Sequence, residues 1–239
     1  MEVWARTEVG LVRQLNEDSF LVKPERGFLA VADGMGGHQA GEVASQLAVA
    51  TLDRVVQGVE DDPQPGLTLE RAFLEANTEV WRQGQSNPDF YGMGTTLTAV
   101  LVGDKSLSAA HVGDSRLYLC REGKLRQLTS DHSVVEELLR SGVISPQAAV
   151  NHPFRHILTR ALGTEKSVNV DLIEETTMPG DRLMLCSDGL TNLVSDQELE
   201  KILGDPDHTP ESSVDELTEL ALKRGGHDNI TVVIAHLDL

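Results

Sequence analysis

The sequence predicts an α+β domain built from two antiparallel sheets covered by helices. Its apolar segments run as strands, helices, strands, a helical insert, strands, helices and a final strand, which is not the regular βαβ alternation of a parallel sheet. Short polar turns of the hairpin type divide the middle of the chain. No internal repeat, low-complexity tract or linker interrupts the 239 residues, so residues 1–239 are expected to form one domain.

Each element follows from its residue pattern. Residues 3–9, 19–22 and 28–32 read as strands, with Pro24-Glu25-Arg26-Gly27 turning between the last two. The period then changes to that of a helix: Ala44, Leu47, Ala48, Thr51, Leu52, Val55 and Val56 share one face, and Leu69, Ala72, Phe73, Ala76, Val80 and Trp81 share another. Strands return between Thr95 and Thr129, separated by Gly103-Asp104-Lys105-Ser106 and Arg121-Glu122-Gly123-Lys124. Residues 131–163 read as a helical insert between strands, with Ser145-Pro146 as helix cap and first-turn proline. Residues 168–173 and 182–186 read as strands, Ser195 to Glu198 as a capping box, Thr209-Pro210 as a helix start, and residues 230–237 as the closing strand.

Composition sets the class of partner. With 40% hydrophobic and 24% charged residues the chain is ordinarily globular. Thirty-eight acidic residues against twenty Lys and Arg give a formal charge of -18, which repels nucleic acid and anionic membrane surfaces. No apolar run approaches the roughly 18 residues of a membrane span. The two cysteines, Cys120 and Cys186, lie inside apolar segments, and the N-terminus lacks the features of a signal peptide. A reduced, cytoplasmic setting and a monomer are expected.

Four acids share one context. Asp33 follows Phe28-Leu29-Ala30-Val31-Ala32, Asp114 follows a strand ending in Val112-Gly113, Asp188 follows Leu185-Cys186-Ser187, and Asp228 precedes the strand that begins at Ile230. An isolated Asp-Gly pair is a common turn former. Four carboxylates gathered at one sheet edge would repel one another severely, and cations relieve that repulsion. All-oxygen donors suit Mg²⁺ or Mn²⁺, whereas zinc would call for paired cysteines or histidines at ligand spacing.

Further stretches complete the pattern: residues 10–19 (GLVRQLNEDS), 31–45 (VADGMGGHQAGEVAS), 93–96 (MGTT), 111–118 (HVGDSRLY), 128–133 (LTSDHS), 158–163 (LTRALG), 179–190 (PGDRLMLCSDGL) and 227–234 (HDNITVVI). In this order they resemble the metal-dependent protein phosphatases, the PPM or type 2C serine/threonine phosphatases, in their short bacterial form. The resemblance covers nearly the whole chain and implies a four-layer α-β-β-α sandwich.

It also implies residue roles. Asp33, Asp188 and Asp228 would bind a first metal ion, with Asp33 bridging to a second held also by the Gly34 carbonyl. Asp114 would share a third, weaker ion with Asp188, or else be a turn carboxylate paired with Arg116. Glu17 and Asp18 would support the site and orient metal-bound water. Arg13 would grip the substrate phosphate. The implied reaction is hydrolysis of phosphoserine or phosphothreonine in proteins by a hydroxide bridging two Mg²⁺ or Mn²⁺ ions, without a phosphoenzyme. Its substrates would be phosphoproteins made by serine/threonine kinases in signalling.

One position departs from the eukaryotic pattern. Met35 stands where those relatives carry histidine, and His38 is left as either general acid or a partner of metal-bound water. The stretch 151–160 (NHPFRHILTR) has two arginines, two histidines and no acid, and is expected to steer phosphoproteins toward the site. A phosphatase of small phosphometabolites and a catalytically silent binding module are the competing readings. The second is opposed by the presence of every expected ligand and of Arg13.

Overall fold

The computed structural model describes residues 1–36, 40–57, 64–150 and 152–238. Its elements are β1 (Glu2–Glu8), β2 (Asp18–Lys23), β3 (Phe28–Met35), α1 (Ala40–Gln57), α2 (Pro65–Ser86), β4 (Gly94–Thr95), β5 (Leu97–Val102) and β6 (Ser106–Val112). There follow β7 (Arg116–Arg121), β8 (Lys124–Gln127), α3 (Val134–Arg140), α4 (Pro146–Val150), β9 (Asp171–Thr176), β10 (Arg182–Cys186), α5 (Asp188–Thr191), α6 (Asp196–Leu203), α7 (Pro210–Lys223) and β11 (Ile230–His236).

The strands form two antiparallel sheets. One has the order β1-β11-β10-β7-β8, and the other β2-β3-β5-β6-β9 with β4 also paired to β3. Side chains alternate across each strand, and the two faces of β3 separate cleanly. Leu29 and Val31 meet Leu117, Leu119, Leu183, Leu185 and Val233 in a core between the sheets. Phe28, Ala30 and Ala32 instead pack under α1 and α2 with Ala44, Leu52, Leu69 and Phe73. On the outer face of the first sheet, Met184, Cys186, Val232 and Ile234 pack with Leu199, Ile202, Val214 and Leu217 of α6 and α7. The result is the four-layer α-β-β-α arrangement. A one-residue slip of β3 would exchange its two faces and disrupt both cores, which fixes its register.

Three elements differ from the sequence expectation. β3 does not stop at Ala32 but continues through Asp33 to Met35, because Gly34 and Met35 pair with Thr95 and Gly94 of β4. β9 begins at Asp171 rather than Val168: its ladder is set by β6, from His111↔Asp171 to Ser106↔Thr176. Val168 and Val170 pack against the helix-side core outside that ladder. A short helix, α5, begins at Asp188, where the residue pattern assigned no element. The insert does lie between β8 and β9, and the Ser195 and Thr209 caps are both formed.

His111 of β6 is fully buried close to the sheet edge. Its Nε2 donates to the Ser130 carbonyl at 3.2 Å and Thr98 Oγ1 lies 2.9 Å from Nδ1. Burial, reinforced by neighbouring His132, holds its pKa near about 4 instead of 6.5. The unfolded chain therefore binds this proton first, so acidification below pH 6.5 favours unfolding until the folded value is reached. Urea melts of the wild type should lose about 3 kcal/mol more between pH 6.5 and pH 4 than those of His111→Gln. Parallel stability curves would refute the buried neutral ring.

Candidate active site

A cavity of about 870 Å³ opens where β3 and β10 end and β7 and β11 begin. Arg13, Glu17, Asp33, Gly34, Asp114, Asp188 and Asp228 all line it. Asp18 is outside the lining, 8% exposed and opposite Asp33 in the β2–β3 ladder. His38 lies outside the described residues.

Backbone pairing carries most of these acids to one place. The β7–β10 register pairs Arg116 with Cys186, and continuing it two residues sets Asp114 against Asp188. Asp33 is fixed through its backbone: its N–H donates to Thr96 Oγ1 at 2.9 Å, and its carbonyl accepts from the Thr96 N–H at 2.8 Å. Asn192 Nδ2 donates to Asp188 Oδ2 at 3.0 Å from the end of α5. Asn229 ties the remaining pieces together. Its N–H donates to Asp228 Oδ1 and its Nδ2 to the carbonyls of Val9 and Leu15, each at 2.9 Å, while its Oδ1 accepts the Glu17 N–H at 2.8 Å. The loop so held carries Arg13, whose guanidinium donates to Asp228 Oδ2 at 2.7 Å.

Electrostatics follow from this crowding. Burial, then the nearby Asp18, Asp188, Asp114 and Asp228, drives the Asp33 carboxyl well above the ordinary carboxylate range. Burial followed by Asp188 does the same to Asp114, and burial followed by Asp228 raises Asp188. Burial lifts Asp18 to about 7, opposed by hydroxyl donors from Thr231 at 2.6 Å and Ser187 at 2.7 Å. Glu17 is also raised by burial. The hydrogen bond to Asp228 raises the pKa of Arg13 further.

The residues fit hard divalent cations. The donors are carboxylates and a peptide carbonyl, and two buried oxygens, Glu17 Oε1 and Asp18 Oδ1, have no hydrogen-bond partner. Unpartnered buried acceptors are costly, and ordered water around a cation satisfies them. Among the described residues no three His, Cys, Asp or Glu side chains are drawn into a closed metal-holding group. Ions that keep several waters require no such closure. Gly34 is demanded by packing as well: a Cβ there would lie 2.0 Å from the Gly41 carbonyl oxygen and 2.6 Å from that of Glu17.

Several site residues escaped the sequence reading. Thr96, Ser187, Asn192, Asn229 and Thr231 hold the acids, and Leu193 and His227 join Arg155 to Leu158 of the basic stretch in the walls of the cavity. Their signal was present only as small polar neighbours of the acids. The pairing of Asp114 with Arg116 is replaced by another: Arg116 donates to both carboxylate oxygens of Asp131, Nε at 2.9 Å to Oδ1 and Nη2 at 2.7 Å to Oδ2. The expected basic patch is divided. Arg155 lines the cavity, but Arg160 does not and donates to Asp171 Oδ1 at 2.6 Å.

Comparison with known proteins agrees with this geometry. The family model described as "Protein phosphatase 2C" matches residues 12–225. The serine/threonine protein phosphatase PstP of Mycobacterium tuberculosis is 45% identical over 235 residues, which is 97% of this chain. The chain spans 44% of the length of that relative. The serine/threonine phosphatase stp of Listeria monocytogenes is 43% identical over 240 residues, covering 98% of this chain and 95% of the relative. The solved catalytic domain of PstP in complex with two manganese ions is similar at a TM-score of 0.88 and 42% identity, covering 98% of this chain and 96% of that one. Carboxylate donors at the mouth of a two-sheet sandwich and matches over nearly the full length lead to one conclusion: the chain belongs to the protein phosphatase 2C family.

Proposed function

We propose that the chain hydrolyses phosphoserine and phosphothreonine esters of proteins with the help of Mn²⁺ or Mg²⁺. The observation that carries this reading is the single cavity in which Asp33, Asp114, Asp188 and Asp228 meet Arg13. Asp33, Asp188 and Asp228 would hold a first ion, Asp33 and the Gly34 carbonyl a second, and Asp114 with Asp188 a third and weaker one. When bound, the ions would supply an activated water as the nucleophile and screening of the phosphoryl charge.

The chain's own groups do the rest. The Arg13 fork takes phosphate oxygens, exchanging its contact with Asp228 for them. Glu17 and Asp18 orient water beside the ligands. His38 supplies the proton to the departing serine or threonine oxygen, or holds water that does so. The bond broken is phosphorus to the substrate side-chain oxygen, and the products are inorganic phosphate and the free alcohol.

A covalent route through a protein nucleophile has poor support. Ser187 is fully buried, is absent from the cavity wall and donates to Asp18. Burial raises the thiol of Cys120 and pushes that of Cys186 to about 12. Among the described residues no helix is long and apolar enough to cross a membrane. The reading extends to residues 1–239 acting as one domain, and to a monomer in the cytoplasm serving kinase signalling.

Phosphoserine and phosphothreonine peptides should release phosphate with Mn²⁺ or Mg²⁺ and none with excess chelator. Release from small phosphometabolites alone, or from nothing, would overturn the reading. Arg13→Ala removes a charge-assisted contact of about 1.5–3 kcal/mol, so kcat/KM on such peptides should fall roughly 10- to 150-fold. Asp33→Asn should abolish turnover and yet stabilise the chelated protein at pH 8. Its thermal midpoint should rise by about 2–4 °C per kcal/mol of repulsion removed, and Mn²⁺ should no longer raise it as it does the wild type.

A further inference from the structure

The stretch 128–133 (LTSDHS) has no task in the proposed chemistry, yet His132 within it is only 2% exposed and bonded on every side. Toward the cavity, the Gly113 N–H donates to His132 Nδ1 at 3.0 Å, and the His132 N–H donates to the Gly113 carbonyl at 2.7 Å. This two-way bond grips the residue immediately before Asp114. Toward the insert, the Thr159 N–H donates to the His132 carbonyl at 2.8 Å, and the Val134 N–H to the Ile157 carbonyl at 2.9 Å. Both ends of the insert are thus drawn together at His132. Residues Arg155 to Leu158, just before Thr159, form a wall of the cavity that Asp114 also lines.

The ring orientation is itself determined. His132 Nε2 lies 3.1 Å from Asp171 Oδ2, and Asp171 is in turn held by Arg160. A carboxylate accepts from Nε2–H, which leaves the Nδ1 lone pair to receive the Gly113 N–H. Burial lowers the His132 pKa and so favours this neutral form. The ring of His111 packs against it with centroids 4.7 Å apart. On its other side Gly113 has no slack: its φ is +114°, and a Cβ there would meet the Thr96 Cβ at 2.5 Å. Thr96 is the residue that receives the Asp33 N–H.

We propose that His132 is a positioning residue, which through its bond to Gly113 sets the Asp114 carboxylate and couples that setting to the insert bearing Arg155 to Leu158. The assignment rests on the phosphatase reading of the cavity. The arrangement of Asp171, His132 and Gly113 is a relay of orientation, and no proton moves along it. Asp114 is then correctly aimed only when the root of the insert is closed.

Two near-isosteric replacements separate the halves of the relay. His132→Asn keeps an acceptor near the place of Nδ1 but loses the donor to Asp171, whereas His132→Gln keeps a donor near Nε2 but loses the acceptor for Gly113. Wild-type phosphopeptide turnover is measured first, so that absence of any metal-dependent activity indicts the phosphatase reading and not this one. With Mn²⁺ saturating, His132→Gln should lose kcat roughly ten-fold or more at a KM within about two-fold of wild type. In titrations of free Mn²⁺ by electron paramagnetic resonance, its weakest-bound ions should weaken by a similar factor. His132→Asn, whose amide oxygen can only accept and so does not need Asp171 to fix its tautomer as the imidazole does, should stay within about three-fold of wild type in both measurements, although urea melts show both variants destabilised. Equal losses in the two variants with unchanged Mn²⁺ titrations would reduce His132 to a packing role and overturn the proposal. Should neither variant fold, Asp171→Ala at its half-exposed edge position decides: a kcat loss of about five-fold at constant KM supports the relay, and wild-type kinetics and Mn²⁺ binding refute it.

Discussion

Asp18 and Asp33 stand directly opposite each other across β2 and β3, where a like-charged pair is destabilising, and Asp114, Asp188 and Asp228 crowd the same end of the sandwich. Taking a carboxylate out of water costs several kcal/mol unless its charge is met. The protein meets it locally by aimed donors, and the buried oxygens those donors leave without partners suit a hydrated cation. This burden decides which residues can surround the cavity. Gly34 must be without a side chain, Thr96 must hold Asp33 by its backbone, and Asn229 must turn both side-chain donors and its side-chain oxygen to the loop that carries Arg13.

The donors beneath Asp18 form a chain with one direction. Thr231 Oγ1 donates to Asp18, so Thr7 Oγ1, 2.8 Å away, must donate to Thr231, and Asn16 Nδ2 donates to Thr7 at 2.8 Å. The dipoles of three side chains therefore point at one acid, and each polarises the next. They come from β1, β11 and the loop before β2, so the same bonds that favour the charge on Asp18 also hold the two sheets in relation. Site geometry and sheet packing are in this sense one structure.

Much of this was legible from the residues alone. The helices and long strands announced themselves by period, three of the four acids by their place beside glycine at the end of an apolar run, and Asp228 by its place just before one. The continuation of β3 was not legible, because Gly34 and Met35 pair with a two-residue strand that has no period to read. The true start of β9 was hidden for a related reason: Val168 and Val170 look like strand residues but are used to cover helices. Thr96, Asn229 and Thr231 were passed over since small polar residues serve caps, turns and cores alike. Arg160 misled because charge composition says nothing of a partner as near as Asp171.

β11 is inserted between β1 and β10, inside its sheet, although it is the last of the strands in chain order. Until residues 230–236 are available, β1 has no partner in that sheet, Asn229 cannot fasten the Arg13 loop, and the hydroxyl of Thr231 cannot reach Asp18. Pairings across such a separation form late, after local helices and hairpins. A ribosome-bound chain can thus assemble its hairpins and outer helices while Asp228 remains apart from the other acids, and the charged centre is complete only once β11 has joined its sheet.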